Sequence, residues 1–199
     1  MFLKYFLFSL SLFFLCNCSS NLKKSNSEQT IHSGPPTSYS YGKLYRDLEN
    51  DFRIQYPKNW ELVAGEAKHT VVKFINRDSS MSLSINVIQN DGSMSEEKLD
   101  EIQLNNFKTY VNQLMISVNK IPIDLKVENG YLDNHNAVIT SNKFVLKQIN
   151  LEILFQYYQI QTLVNGKIYN VILSLPEKYF TESYASYISN FIYSFRFDP

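Results

Sequence analysis

Asn165-Gly166 stands between two long runs of β-branched and aromatic residues, Leu151 to Val164 and Lys167 to Leu175. A two-residue Asn-Gly connection is the strongest short-range hairpin signal, because a type I′ turn needs positive φ at both central residues. Counting back from that turn pairs Ile160 with Val171 and Tyr158 with Leu173, and puts Tyr169 on the same face. This register assembles one apolar face across two long strands, and a slip by one residue would invert it. The chain must therefore build an antiparallel sheet around this pair.

Other segments repeat the strand period. Met81, Leu83, Ile85 and Val87 alternate with Ser82, Ser84 and Asn86, the pattern of a strand with one apolar and one polar face. Phe52-Arg53-Ile54-Gln55-Tyr56 alternates in the same way. Pro57-Lys58-Asn59 then reads as a turn, Trp60-Glu61-Leu62 as a short strand, and Thr70 to Ile75 as another. Asn90-Asp91-Gly92 breaks the strand pattern. Ser93 with Glu96 then reads as a capping box that opens a helix. Leu99, Ile102, Tyr110, Val111, Leu114, Met115 and Val118 recur at spacings of three and four as its buried stripe. Glu96, Glu97, Asp100 and Glu101 fall in its first turns, where the helix dipole favours acids. Pro122 closes that region. Asp124 to Leu132 is expected to be a strand pair turning at Asn129-Gly130, and residues 137–146 lean to strand. Pro176 suits the first turn of a C-terminal helix running to about Ile192, with Phe180, Tyr184, Ile188, Phe191 and Phe195 as its stripe. Strands, a long helix, strands and a helix, in that order, make an α+β fold with a mainly antiparallel sheet.

The N-terminus reads as an address. Lys4 precedes an apolar stretch, Tyr5 to Leu15, that is shorter than the roughly 20 residues needed to span a bilayer. Leu15-Cys16-Asn17-Cys18 resembles a bacterial lipobox, with Leu three residues before the acylated Cys. Reading Cys16 as that residue would put Leu15 where a small side chain belongs, so Cys18 is the candidate lipidation site. The resemblance implies a diacylglycerol on its sulfur and a further acyl group, such as palmitate, on its amine. At about 0.8 kcal/mol per buried methylene, two or three such chains hold a protein to a membrane. Residues 1–17 are thus expected to be a signal peptide, and residues 18–49 a flexible tether centred on Gly34-Pro35-Pro36. Ser19 is not the Asp that retains such proteins at the inner membrane, which resembles an outer-membrane address.

Three segments of residues 50–199 resemble the PsbP-like family, which is related in fold to a Ran-binding nuclear import factor. They are the opening Phe52-Arg53-Ile54-Gln55-Tyr56-Pro57-Lys58-Asn59-Trp60, the segment Ile168-Tyr169-Asn170-Val171-Ile172-Leu173-Ser174-Leu175-Pro176, and the closing Tyr184 to Ile188 with Ile192 to Phe195. The resemblance implies an α/β/α sandwich around an antiparallel sheet, and a binding or assembly role rather than an enzyme.

The remaining chemistry is sparse. Lys+Arg and Asp+Glu number 19 each, a balance unlike that of proteins that bind nucleic acid by neutralising phosphate. No cysteine follows Cys18, so the body has neither a disulfide nor a Cys-based zinc site. His32, His69 and His135 are isolated, and neither GxSxG, a P-loop nor GxGxxG occurs. No catalytic residue, metal ligand or cofactor is expected. Ser82, Ser84, Asn86, Gln159 and Gln161, on outward strand faces, are the candidate residues for a polar groove. The leading expectation is a non-catalytic, lipid-anchored protein-interaction or assembly module of the bacterial cell envelope, with an envelope protein as its partner. A small-ligand receptor would instead need an apolar pocket of several hundred Å³. A hydrolase would need a dyad built on His69 or His135.

Overall fold

The computed structural model describes residues 42–65, 67–117, 120, 122–148, 151–179 and 189–198. Two antiparallel sheets carry the fold. The larger has seven strands in the order β3-β4-β5-β9-β8-β7-β6: β3 (Glu61–Val63), β4 (Thr70–Asn76), β5 (Met81–Gln89), β9 (Lys167–Pro176), β8 (Leu151–Val164), β7 (His135–Gln148) and β6 (Pro122–Leu132). The smaller has three, β1 (Lys43–Asp47), β2 (Phe52–Tyr56) and β10 (Arg196–Phe197), with β2 central. Among the described residues helix is scarce: α1 (Glu101–Ser117), a 3-10 turn (Glu177–Tyr179) and a helical stretch over 189–193. The mainly antiparallel α+β architecture is thus present, with sheet far outweighing helix.

The Asn165-Gly166 turn forms as its residues require, at φ of 51° and 74°. It sets the β8–β9 register, with Ile160 opposite Val171 and Tyr158 opposite Leu173. The face this creates continues through Leu83 and Ile85 of β5 and carries the main core. The small sheet packs against that core through Phe52, Ile54 and Tyr56, all buried. Phe52 stacks on Phe195 at 5.3 Å, and Tyr56 tilts against Phe74 at 4.8 Å. Trp60 is buried edge-on against Phe191 at 5.2 Å, so it plugs the gap between the larger sheet and the 189–193 stretch. The C-terminal segment is fastened by polar contacts as well. Asp198 accepts from Arg46 at 2.5 Å and Arg53 at 2.9 Å, and the Ser194 hydroxyl accepts the Gln55 N–H at 3.0 Å.

Four expectations need correcting. The helix begins at Glu101, not at Ser93. Its capping box is Asp100 with Gln103, each side chain accepting the other's backbone N–H at 2.8 Å. The segment before it is instead folded by Asn90, whose side chain accepts the Met94 N–H and donates to the Met94 carbonyl. Second, residues 122–132 form one strand, and the turn into β7 is Asp133-Asn134, at φ of 46° and 67°. Asn129-Gly130 is not a turn because both residues serve tertiary contacts. The Asn129 amide bonds the Leu99 N–H and carbonyl, and Gly130 lies so close to the Ile139 side chain that a Cβ there would have to push it aside. Third, among the described residues of the helical stripe only Val111 and Met115 are buried, while Ile102 is exposed. Fourth, β1 lies inside the stretch read as tether. Tyr45 orders it by packing on Phe52 and Phe74, both at 5.9 Å. Pro176 ends β9 and is followed at once by the 3-10 turn, while Phe180, Tyr184 and Ile188 of the expected C-terminal helix lie outside the described residues.

Candidate functional site

The five residues expected to line a polar groove are brought together on one face of the larger sheet. Opposite the main core, successive rungs run across β5, β9, β8 and β7. Asn86, Asn170, Gln161 and Val138 make the first, Ser84, Ile172, Gln159 and Thr140 the second, and Ser82, Ser174, Tyr157 and Asn142 the third. They do not face water as outward residues would. Asn86, Thr140, Asn142, Gln159, Gln161 and Asn170 are each at most 6% exposed, and Ser82 and Ser84 are half-buried.

Hydrogen bonding within this face is incomplete. Gln159 donates to Asn170 Oδ1 at 2.9 Å and accepts from the Tyr157 hydroxyl at 2.6 Å. Burial pushes that phenol well above the usual tyrosine range, so it remains a donor. Asn142 donates to the Met115 sulfur of α1. Asn86 Oδ1, Asn142 Oδ1, Asn170 Nδ2 and both ends of the Gln161 amide have no partner among the described residues. Each such atom costs about 1–3 kcal/mol relative to a satisfied one, and native folds bury few of them.

Apolar contacts close one end of this face, and hydrogen bonds close the other. Phe144 meets Val111 and Met115 of α1, and it stacks on Phe155 at 5.7 Å. At the hairpin end, Asn90 donates its backbone N–H to the Gly166 carbonyl at 2.8 Å, and Asn136 bonds the Glu96 carbonyl at 3.0 Å. Segment 90–100 therefore crosses from β5 towards β6 and β7.

The core face holds a feature that periodicity did not disclose. A cleft of about 570 Å³ opens between the outer strands and the 189–193 stretch. Its floor is Ile139, Ile160, Leu173 and Leu175, and Ile192 and Tyr193 form the opposite wall. Asp124, Lys126, Ser141, Lys143, Gln156 and Ser189 are among its polar groups. Gln156 is buried, and its Oε1 has no partner among the described residues. Lys143 pairs with Glu177 at 2.5 Å, and that hydrogen bond and charge hold its ammonium above the usual lysine range. Sequence reasoning missed Thr140, Asn142 and Asn170 on the polar face, and of these Asn170 was open to one signal. Extending the Asn165-Gly166 register puts Asn170 opposite Gln161.

Other candidates are dispersed. Cys18, His32 and the lipobox lie outside the described residues. His69 contributes its backbone carbonyl to the Val87 N–H, and His135 packs edge-on against Phe197 at 5.0 Å. Glu101 occupies the first turn of α1, and Glu96, Glu97 and Asp100 precede it. Among the described residues, no group of three or more His, Cys, Asp or Glu could hold a metal ion, and no helix is long and apolar enough to cross a membrane.

No protein-family model matches the sequence, and a search of curated proteins finds no match. Solved structures do resemble it. Cyanobacterial PsbP (CyanoP) from Synechocystis matches with a TM-score of 0.55 at 16% identity, over 84% of this chain and 98% of that one. A protein from Bacteroides thetaiotaomicron matches with a TM-score of 0.52 at 10% identity, over 80% of this chain and 50% of that one. LpqN, involved in cell envelope biogenesis of Mycobacterium tuberculosis, gives 0.44 at 9% identity, over 84% of this chain and 88% of that one.

Proposed function

From a PsbP-like fold, we propose a lipid-anchored module of the bacterial cell envelope. Cys18 fastens it to the outer membrane, and the domain binds a partner protein without catalysing a reaction. The reading is supported chiefly by the cleft on the core face, where an apolar floor meets polar groups that include Asp124, Lys126, Ser141, Lys143 and Gln156. Apolar depth with a few convergent polar groups suits side chains inserted by a partner. A single Gln156 Oε1 then asks for one donor from the occupant.

The anchor and the cleft are tested separately. Cells expressing the full chain take up a labelled fatty acid, and the label should vanish in Cys18→Ser, with the protein released from the membrane. An unlabelled wild-type chain would refute the anchor alone. For the cleft, a photo-crosslinker replaces Tyr193 on its wall, with Ile102 on α1 as the control position; both side chains are exposed. A protein captured from position 193, not from 102, and lost in Lys126→Glu supports the reading. Equal capture from both positions refutes it.

A second reading, a small-ligand receptor, draws on the cleft's volume. It falls in the range of about 300–1,000 Å³ typical of drug-sized ligands. Retention of an extractable small molecule by the wild type, and not by Leu173→Trp, would favour it over a protein partner.

A further inference from the structure

We propose that β6 is a self-complementary edge, and that two copies of this chain pair through it, antiparallel about a two-fold axis at Val127. β6 ends the larger sheet, and β7 is its one strand neighbour among the described residues. An edge of 11 residues presents a row of backbone N–H and C=O groups to a further strand. α1 lies over the face of the sheet, in an apolar cluster with Leu125 of β6, Phe144 of β7, and Phe155 and Tyr157 of β8.

The side chains select the occupant. Lys126 and Glu128 are exposed, and neither makes an ion pair among the described residues. They share one face of the strand, Lys126 opposite Ser141 and Glu128 opposite Ile139. A lysine guards an edge against strands that offer it no counter-charge. A second β6 offers one. When two identical strands run antiparallel, only the register centred on Val127 sets each Lys126 directly opposite the copy's Glu128. Opposite charges so placed attract, and like charges repel. The symmetry makes two such pairs, with Leu125 opposite Asn129 beyond each. The bulge between Ile123 and Lys126, where Asp124 has φ of 57°, then bends the strand away. Ile123 and Tyr131, 41% and 54% exposed, stand at the ends of this short ladder. A contact of this length suits a reversible dimer rather than a permanent one. An axis normal to the sheet leaves the clefts of both copies on the same side.

The test uses the full chain in detergent, with Cys16→Ser and Cys18→Ser, so that an introduced cysteine is its one thiol. Residues directly opposed in an antiparallel pair have Cα atoms about 4.5–5.5 Å apart, within disulfide range. Mild oxidation should therefore link Val127→Cys into a homodimer. Leu62→Cys, exposed on β3 at the other edge of the sheet, should stay monomeric. In sedimentation, Lys126→Glu and Glu128→Lys should each weaken self-association by about tenfold. The double reversal should restore it, and so should mixing the two single variants, whose charges then match across the axis. Lys126 also lines the cleft, and restoration by the second reversal separates the two roles. Equal linkage at positions 127 and 62, a parent chain that does not self-associate, or a double variant as weak as the single ones would each overturn the proposal.

Discussion

Asn170 lies directly opposite Gln161, yet Asn170 Oδ1 takes its hydrogen bond from Gln159 of the neighbouring rung, at 2.9 Å. Gln161, 1% exposed, is left with neither end of its amide satisfied among the described residues. Apolar replacement should therefore help the fold. Gln161→Met keeps the volume and removes two unpaired polar atoms, and it should raise the free energy of unfolding by about 1–3 kcal/mol. Urea denaturation with an unchanged slope would check this.

The turn that sets the register can be weakened without touching the core. At Gly166, with φ of 74°, an added Cβ would meet nothing within 4 Å, so Gly166→Ala is penalised by backbone conformation alone, about 1 kcal/mol. Gly130→Ala should cost more, because its Cβ would run into the Ile139 side chain. A urea series on the two variants should give that order.

Phe52 and Phe195 bind the small sheet to the large one, and each is fully buried. Either truncation to Ala should cost about 3–5 kcal/mol. The double variant should lose less than the sum of the two single losses, because the rings are in contact. Additive losses would show that the stacked pair is not coupled.

Alkali should unfold the domain through Tyr169. Burial, then the charges of Asp51 and Asp47, pushes its phenol up from 10.0 to about 12, and its hydroxyl donates to the Asn50 carbonyl at 2.9 Å. Above the unfolded value the unfolded chain releases this proton first, so its contribution is whole below pH 10 and is lost as pH climbs towards about 12. Tyr169→Phe should flatten that decline while lowering stability at neutral pH, as seen in denaturant midpoints across the range.

What the sequence disclosed followed from local rules. Asn165-Gly166 is a turn whose chemistry needs no distant partner, so the pairing of Ile160 with Val171 could be counted from it. Trp60 and the Phe52-Ile54-Tyr56 face were legible because one buried side in a strand gives a strict period. Asn129-Gly130 misled because the same residue types that make turns also make close contacts, here with Leu99 and Ile139. Ser93 with Glu96 misled in the same way, since Asn90 captured the local N–H groups and displaced the helix start to Asp100. The polar face was visible as residue types on alternating positions. Its burial was not, because burial depends on elements brought from elsewhere. The cleft depends on how the 189–193 stretch sits against β7 to β9, a relation that no periodicity encodes.

The first and last strands among the described residues, β1 and β10, flank β2 on either side. Traction along the chain ahead of Lys43 meets β1 end-on to its hairpin, so the five pairs from Lys43–Tyr56 to Asp47–Phe52 open in succession, like a zip. A domain hung from a lipid would then yield at its margin under load, and the β5–β9–β8 centre would keep its shape while the leash lengthened.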